Sequence, residues 1–226
     1  MLNRLLNGNL TLGGAVAYIL SSLIVIFLTL PIHEYAHGFA ATKLGDPTPR
    51  YQGRMSLNPF AHIDYLGAAC ILLFGFGWAK PVQINSNNFR NPKRDMAVTA
   101  MAGPLSNLIV ALAALLLGNI VNLVYSTVLS ASFFAYVYLF FFYIAQINIY
   151  LAVFNLIPIP PLDGSRLLSA LLPYKQYYAL MRYERYIFLG LLALLWIGVL
   201  DVPLNFLSGA VMKALGFLAD LPFRLF

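Results

Sequence analysis

His33-Glu34-Tyr35-Ala36-His37 places two histidines four residues apart, with an acid beside the first. On a helix, positions i and i+4 share a face, so the two imidazoles can grip one metal ion. Glu34 is placed to reach a water on that metal as a general base. With three His and two Glu in 226 residues, the pattern is rare by chance. The chemistry it suggests is metal-assisted hydrolysis. Two imidazoles leave a zinc ion in need of at least a third protein ligand. His62 and Asp163 are the candidates. Asp46, Asp64 and Asp95 fall in a polar loop, where solvated acids need no explanation. Asp163 follows an apolar stretch broken by prolines, where an unpaired carboxylate would be costly, and it is favoured over His62.

The elements that must position these groups are apolar. Composition (61% hydrophobic, 10% charged, mean hydropathy +0.78) describes a polytopic membrane protein of one domain, residues 1–226. The net charge of +6 would ordinarily raise nucleic acid as a partner. Here the basic residues sit in loops between apolar runs, which speaks for topology and a lipid bilayer. The single cysteine, Cys70, excludes an internal disulfide and reads as a packing residue. The first apolar stretch is too long for a cleavable signal and carries the motif, so it is expected to be retained.

The expected fold is an α-helical membrane bundle of about four transmembrane helices, a re-entrant or interfacial segment and short β-strands. Helix one is expected from Thr11 to Ala41, ended by Gly45-Asp46-Pro47. Counting back from Lys43 puts the metal site roughly 9–15 Å below the membrane surface. Arg50–Leu57 and Lys80–Gln83 read as strands. Ala68–Ala79, apolar but too short to cross, reads as the re-entrant segment. Helix two is expected over Met96–Leu117, kinked at Pro104, with Asn107 buried and in need of a partner. An uncharged link, Asn119–Ser130, leads to helix three over Ala131–Ile157, which includes Asn148. Prolines 158, 160 and 161 break the chain, and a basic connection runs from Arg166 to Arg185. Helix four is expected over Tyr186–Leu200, reaching to Leu207, and Ser208–Phe226 reads as an interfacial tail. Eleven of the fourteen Lys and Arg lie in the loops at 43–95 and 158–185. The positive-inside rule therefore puts both loops in the cytoplasm and the metal site nearer the cytoplasmic face of the cell membrane.

His33 through His37 on a membrane helix, followed two spans later by Asn155-Leu156-Ile157-Pro158-Ile159-Pro160-Pro161-Leu162-Asp163-Gly164, resembles the site-2 protease family of intramembrane metalloproteases (peptidase family M50). Gly103-Pro104-Leu105-Ser106-Asn107 and Ser56 through Asp64 share in the resemblance, which covers about residues 12–170 and fits a small branch without PDZ or CBS domains. The resemblance implies one Zn2+ held by His33, His37 and Asp163, Glu34 as general base, and Asn155 as a polar group beside the catalytic centre. The expected substrate is a transmembrane protein or peptide, whose helix must unwind because a helical peptide bond is sterically shielded; a strand within 50–85 is the expected edge for pairing with it. Two other classes compete: a membrane metal-ion transporter, and a metal-binding scaffold without proteolytic activity.

Overall fold

The computed structural model describes residues 11–74, 77–128 and 131–224. Four of its helices are long and apolar enough to cross a membrane. The first, α1 (Leu12–Leu44), starts at Thr11, whose Oγ1 accepts the Gly14 N–H at 3.2 Å. It is not a uniform α-helix. Pro31 lacks an N–H, and its ring would strike the carbonyl four residues back in a regular turn. The chain widens into a π-helical segment, Val25–Thr29, just before it, and the Leu30 N–H reaches five residues back to Val25 O. The helix ends where Gly45 turns left-handed (φ 112°) and the Asp46 N–H closes on Ala41 O at 2.9 Å. Its faces are inverted relative to a soluble helix. Val16, Ile19, Leu20, Phe27 and Leu28 are exposed, whereas Ser21, Ser22, Thr29, His33, Glu34 and His37 are buried. Lipid solvates the apolar face, and polar groups must find partners inside the bundle.

Past α2 (Tyr65–Phe74), a short helix whose Ile71 carbonyl accepts the Tyr18 hydroxyl at 3.1 Å, the chain reaches α3 (Pro92–Val128). Pro92 opens α3 and Asp95 accepts the Asn91 N–H at 2.9 Å. The helix runs through Pro104 and reaches well beyond Leu117, so most of the uncharged link expected over Asn119–Ser130 is helical; 129–130 lie outside the described residues. Nothing in that link breaks a helix, and its missing charge reflects burial in lipid rather than a loop. The return helix α4 covers Ala131–Asn155. Packing between α3 and α4 forms the larger core, with Ala111, Ala114, Ile144, Ala145 and Ile149 at its centre.

Beyond the proline break, the expected basic connection folds into two short amphipathic helices, α5 (Asp163–Leu171) and α6 (Tyr174–Arg182). The fourth span is also displaced. Residues 186–207 read as one apolar run, but Gly198 takes φ 76° in a turn that divides it. The resulting α7 (Glu184–Trp196) has 13 residues, about 20 Å, too short to cross. The crossing helix is α8 (Asp201–Asp220), which lies mostly in the stretch expected as an interfacial tail. Its end is tied to α3 by Asn119 Nδ2, which donates to Ala219 O and to Asp220 Oδ1.

Neither expected strand forms; no strand occurs among the described residues. Over 50–57, a single helical turn (Thr48–Tyr51) precedes Gly53 at φ 66°. Asp46 dictates this: fully buried, it accepts the Thr48 N–H and hydroxyl on Oδ1, the Asn88 amide on Oδ1 and the Asn85 N–H on Oδ2. The 80–83 stretch has no regular secondary structure and makes isolated bonds rather than a ladder. Within Ala68–Ala79, where the re-entrant segment is expected, the helix runs to Phe74, residues 75–76 lie outside the described residues, and 77–79 have no regular secondary structure.

Burial works against the ionised Asp46 carboxyl, yet its four donors win and hold its pKa below the usual carboxylate range. A depressed folded-state pKa contributes stability above the unfolded value of about 4, and that contribution disappears as pH falls through the lower folded value. We expect Asp46→Ala to cost about 2 kcal/mol at pH 7. Thermal melts in detergent should show the gap to wild type closing progressively below about pH 4.

Candidate metal centre

The site is assembled from three distant parts of the chain. His33 and His37 project from the last turns of α1, where the π segment has already reset the helix. Asp163 arrives from the far side of the proline break as the first residue of α5. The break satisfies its own backbone through tight turns, with the Ile159 N–H on Ile157 O and the Leu162 N–H on Ile159 O. The Pro160–Pro161 bond within it is cis. Gly164 then lets α5 start against that turn, because a Cβ there would stand 2.3 Å from Leu156 O.

The three side chains converge. Asp163 Oδ2 lies 3.2 Å from His33 Nε2 and 3.0 Å from His37 Nε2, and the two nitrogens are 3.1 Å apart. Two donors on a tetrahedral zinc at 2.0–2.1 Å stand roughly 3.3 Å apart, so this donor set and spacing fit such an ion. All three residues are buried. His37 Nδ1 donates to Thr99 O at 2.8 Å, which leaves its Nε2 lone pair for a metal. Burial alone would raise the Asp163 pKa; the adjoining imidazoles, His37 foremost, hold it well below the usual carboxylate range.

A fourth element makes the room. Gly103 on α3 faces both histidines, and a Cβ there would fall 2.3 Å from His37 Nε2 and 2.6 Å from His33 Nε2. The missing side chain is the space an ion needs. Glu34 is also buried, and its Oε2 accepts the Val82 N–H at 2.8 Å. That bond draws the 77–83 stretch over the site. Gly38 admits the 48–55 segment instead, since a Cβ on it would press on Met55 Sδ at 2.9 Å and Pro49 Cβ at 3.3 Å.

Beside the donors is a cavity of about 140 Å³. His33, Glu34, His37, Asp163, Asn155 and Arg166 give it a polar side, and Trp78, Phe188 and Leu192 an apolar one. The Trp78 and Phe188 rings meet edge to face at 5.4 Å. The five residues singled out from the sequence are thus gathered on one cavity. His62 is elsewhere: it is fully buried, with its Nε2 on Ser56 O at 2.7 Å, and it fixes the loop that leads into α2. Asp64 caps α2 through the Gly67 N–H rather than pairing with His62. Sequence reasoning missed the specific parts played by Gly103, Thr99, Val82 and Arg166. Thr99 and Val82 act through backbone atoms, which carry no residue signature. Gly103 sits in a run of small residues that signals close helix packing in general.

The family model described as Peptidase family M50 matches residues 117–198, a stretch that includes Asn155 and Asp163. A curated relative from Bacillus subtilis (strain 168), named "Putative zinc metalloprotease YwhC", is 40% identical over 156 residues, 69% of each chain. A second, from Mycolicibacterium smegmatis, named "Putative zinc metalloprotease Rip2", is 28% identical over 146 residues. That match covers 61% of this chain and 51% of the relative, so the chain spans about half of its length. No solved structure matches the chain.

Gly103→Ala should fill the place between the imidazoles and reduce bound divalent metal by at least about 100-fold in affinity, measured by metal analysis of purified protein. Gly118→Ala is the control on the same helix, because a Cβ there meets nothing closer than 3.6 Å.

Proposed function

The chain belongs to peptidase family M50, the site-2 protease family, and from that premise we propose that it is an intramembrane zinc metalloprotease cleaving peptide bonds within or near transmembrane segments of other membrane proteins. One observation carries this reading: two imidazoles and a carboxylate converge on one point beside a buried glutamate, at the wall of a cavity among membrane-spanning helices. The whole chain is read as one catalytic domain. The positive-inside bias puts its site toward the cytoplasmic face of the cell membrane.

His33, His37 and Asp163 would hold one zinc ion, which when bound supplies Lewis acidity and brings the pKa of an attacking water to about 7. Glu34 takes the proton from that water and returns it to the leaving amine. The Val82 N–H occupies one carboxylate oxygen and fixes the group's orientation, leaving the other for the proton. Asn155, the last residue of α4, offers an amide donor to the developing oxyanion, and the Arg166 guanidinium adds positive charge at the same wall. The substrate enters locally unwound, because a peptide bond within a helix is shielded from an attacking water by its own side chains and hydrogen bonds. The stretch at 77–83 runs alongside, but its Val82 N–H already serves Glu34, so any pairing with substrate uses its other backbone groups.

A transporter would need successive ligand sites along a path. Among the described residues, His33, His37 and Asp163 form the one group of three or more potential ligands. A scaffold reading gives Glu34 only the Val82 N–H to hold and leaves Asn155 at the cavity wall without a part.

Purified protein in liposomes with a single-span reporter tests the proposal. Glu34→Gln should keep zinc and lose cleavage by at least about 100-fold, and Asp163→Ala should lose zinc. Asn155→Ala should lower kcat by about 100-fold with little change in KM. Undiminished cleavage by Glu34→Gln, or zinc flux into the liposomes, would overturn it.

A further inference from the structure

One turn outward from the histidines, the bundle buries polar atoms that have no partner. Thr29, Asn107 and Asn148 are all 0% exposed. Thr29 Oγ1, both side-chain polar atoms of Asn107, and Asn148 Oδ1 make no hydrogen bond, and neither does His33 Nδ1. The exception is informative: Asn148 Nδ2 donates to Ile144 O at 2.8 Å, so Asn148 lacks only its acceptor's partner. Ser21 and Thr42 on the same helix as Thr29 bond to the carbonyl four residues back, as buried hydroxyls in helices commonly do. Thr29, which closes the π segment, does not.

Register brings Thr29 and Asn107 to one level. The α1 and α3 helices run antiparallel, with His37 against Thr99 and His33 against Gly103, so the next step of four residues sets Thr29 against Asn107. The α1 and α4 helices pack together before the π segment, with the Ser21 hydroxyl on Phe140 O. Thr29 and His33 are one turn apart on one face of α1. That register sets the unpartnered Thr29 Oγ1 and Asn107 amide at one level of the α1–α3 contact, one helical turn, about 5.4 Å, from His33. A buried polar group left unpaired in lipid costs several kcal/mol, and internal water is the usual remedy where two to four such groups converge.

We propose that a bound water occupies the contact of α1 and α3, accepting from His33 Nδ1–H and joining it to Thr29 Oγ1 and Asn107. Its effect is on His33. His37 has its Nδ1 fixed by the Thr99 carbonyl, whereas His33 has no protein counterpart, and the water supplies one. Placed behind the ring, away from the cavity, it holds the tautomer that presents Nε2 to the metal. The ligand role of His33 comes from the proposed function, and the water's presence does not depend on it.

The test has two arms. The first is a structure of the full wild-type chain in nanodiscs at about 2 Å, with and without chelator. Discrete density within hydrogen-bond distance of His33 Nδ1 and at least two of the other atoms is expected in both states. A direct side-chain bond to His33 Nδ1 with no such density overturns the proposal. The second is zinc affinity by chelator competition, where Thr29→Val and Asn107→Leu should bind 10- to 100-fold more weakly and Thr29→Ser should bind as wild type. Affinity of a folded Asn107→Leu within twofold of wild type overturns it. Should that variant not fold, the wild-type density decides. Water density in a wild-type protein that takes up no zinc supports the site while removing the protease reading.

Discussion

The meeting of Asp163 with His33 and His37 is the contact on which the rest of the architecture depends. It joins positions 130 and 126 residues apart, and each neighbouring feature serves that closure. A carboxylate can reach the imidazoles only if the chain leaves α4 early, turns back and restarts a helix at the right point. The prolines forbid continuation of α4, and Gly164 lets α5 begin against the turn that results. On the opposite side, Gly103 removes the side chain that would otherwise occupy the centre. The π segment before Pro31 absorbs a proline that would have distorted the helix carrying both histidines. Three helices and one break are thus shaped around a few cubic ångströms of space.

Lipid imposes the second constraint. In water, α1 would expose its serines; here it buries Ser21 and Ser22 and leaves Leu20 and Leu28 on its outer face. A polar atom facing hydrocarbon has no solvent to fall back on, so the bundle interior becomes the polar phase. That accounts for Tyr18 reaching the Ile71 carbonyl and Ser21 reaching Phe140 across the bundle. It also explains why hydrolytic chemistry can be housed there. The interior already holds backbone carbonyls, amides and charged groups, and the 77–83 stretch is admitted because Glu34 satisfies one of its N–H groups.

Where sequence reading failed, it failed over tertiary choices. Arg50–Leu57 has the alternation of a strand, yet Asp46 takes up the nearby donors first and folds 48–51 into a turn. Lys80–Gln83 forms no strand because a strand needs a ladder partner, and the groups that bond it are the carbonyl of His62 and the carboxylate of Glu34. The fourth span went to the wrong residues because hydropathy does not register a left-handed glycine, and Gly198 divides the run that composition treats as continuous. The count of four spans survived since total apolar length is additive along a chain, whereas the position of a break is not.

The family resemblance supplied Asn155; the residues by themselves determined the membrane setting, the paired histidines with Glu34 and the candidacy of Asp163. These rest on periodicity, composition and the expense of charge in lipid, all of which act locally. Only the tertiary structure brought Asp163 rather than His62 beside the two histidines, set Thr99 behind His37, tied Glu34 to Val82 and left Gly103 no room for a side chain. Those outcomes depend on backbone atoms and on empty space. Neither is written in side-chain identity, and both come into being only when helices far apart in sequence are packed together.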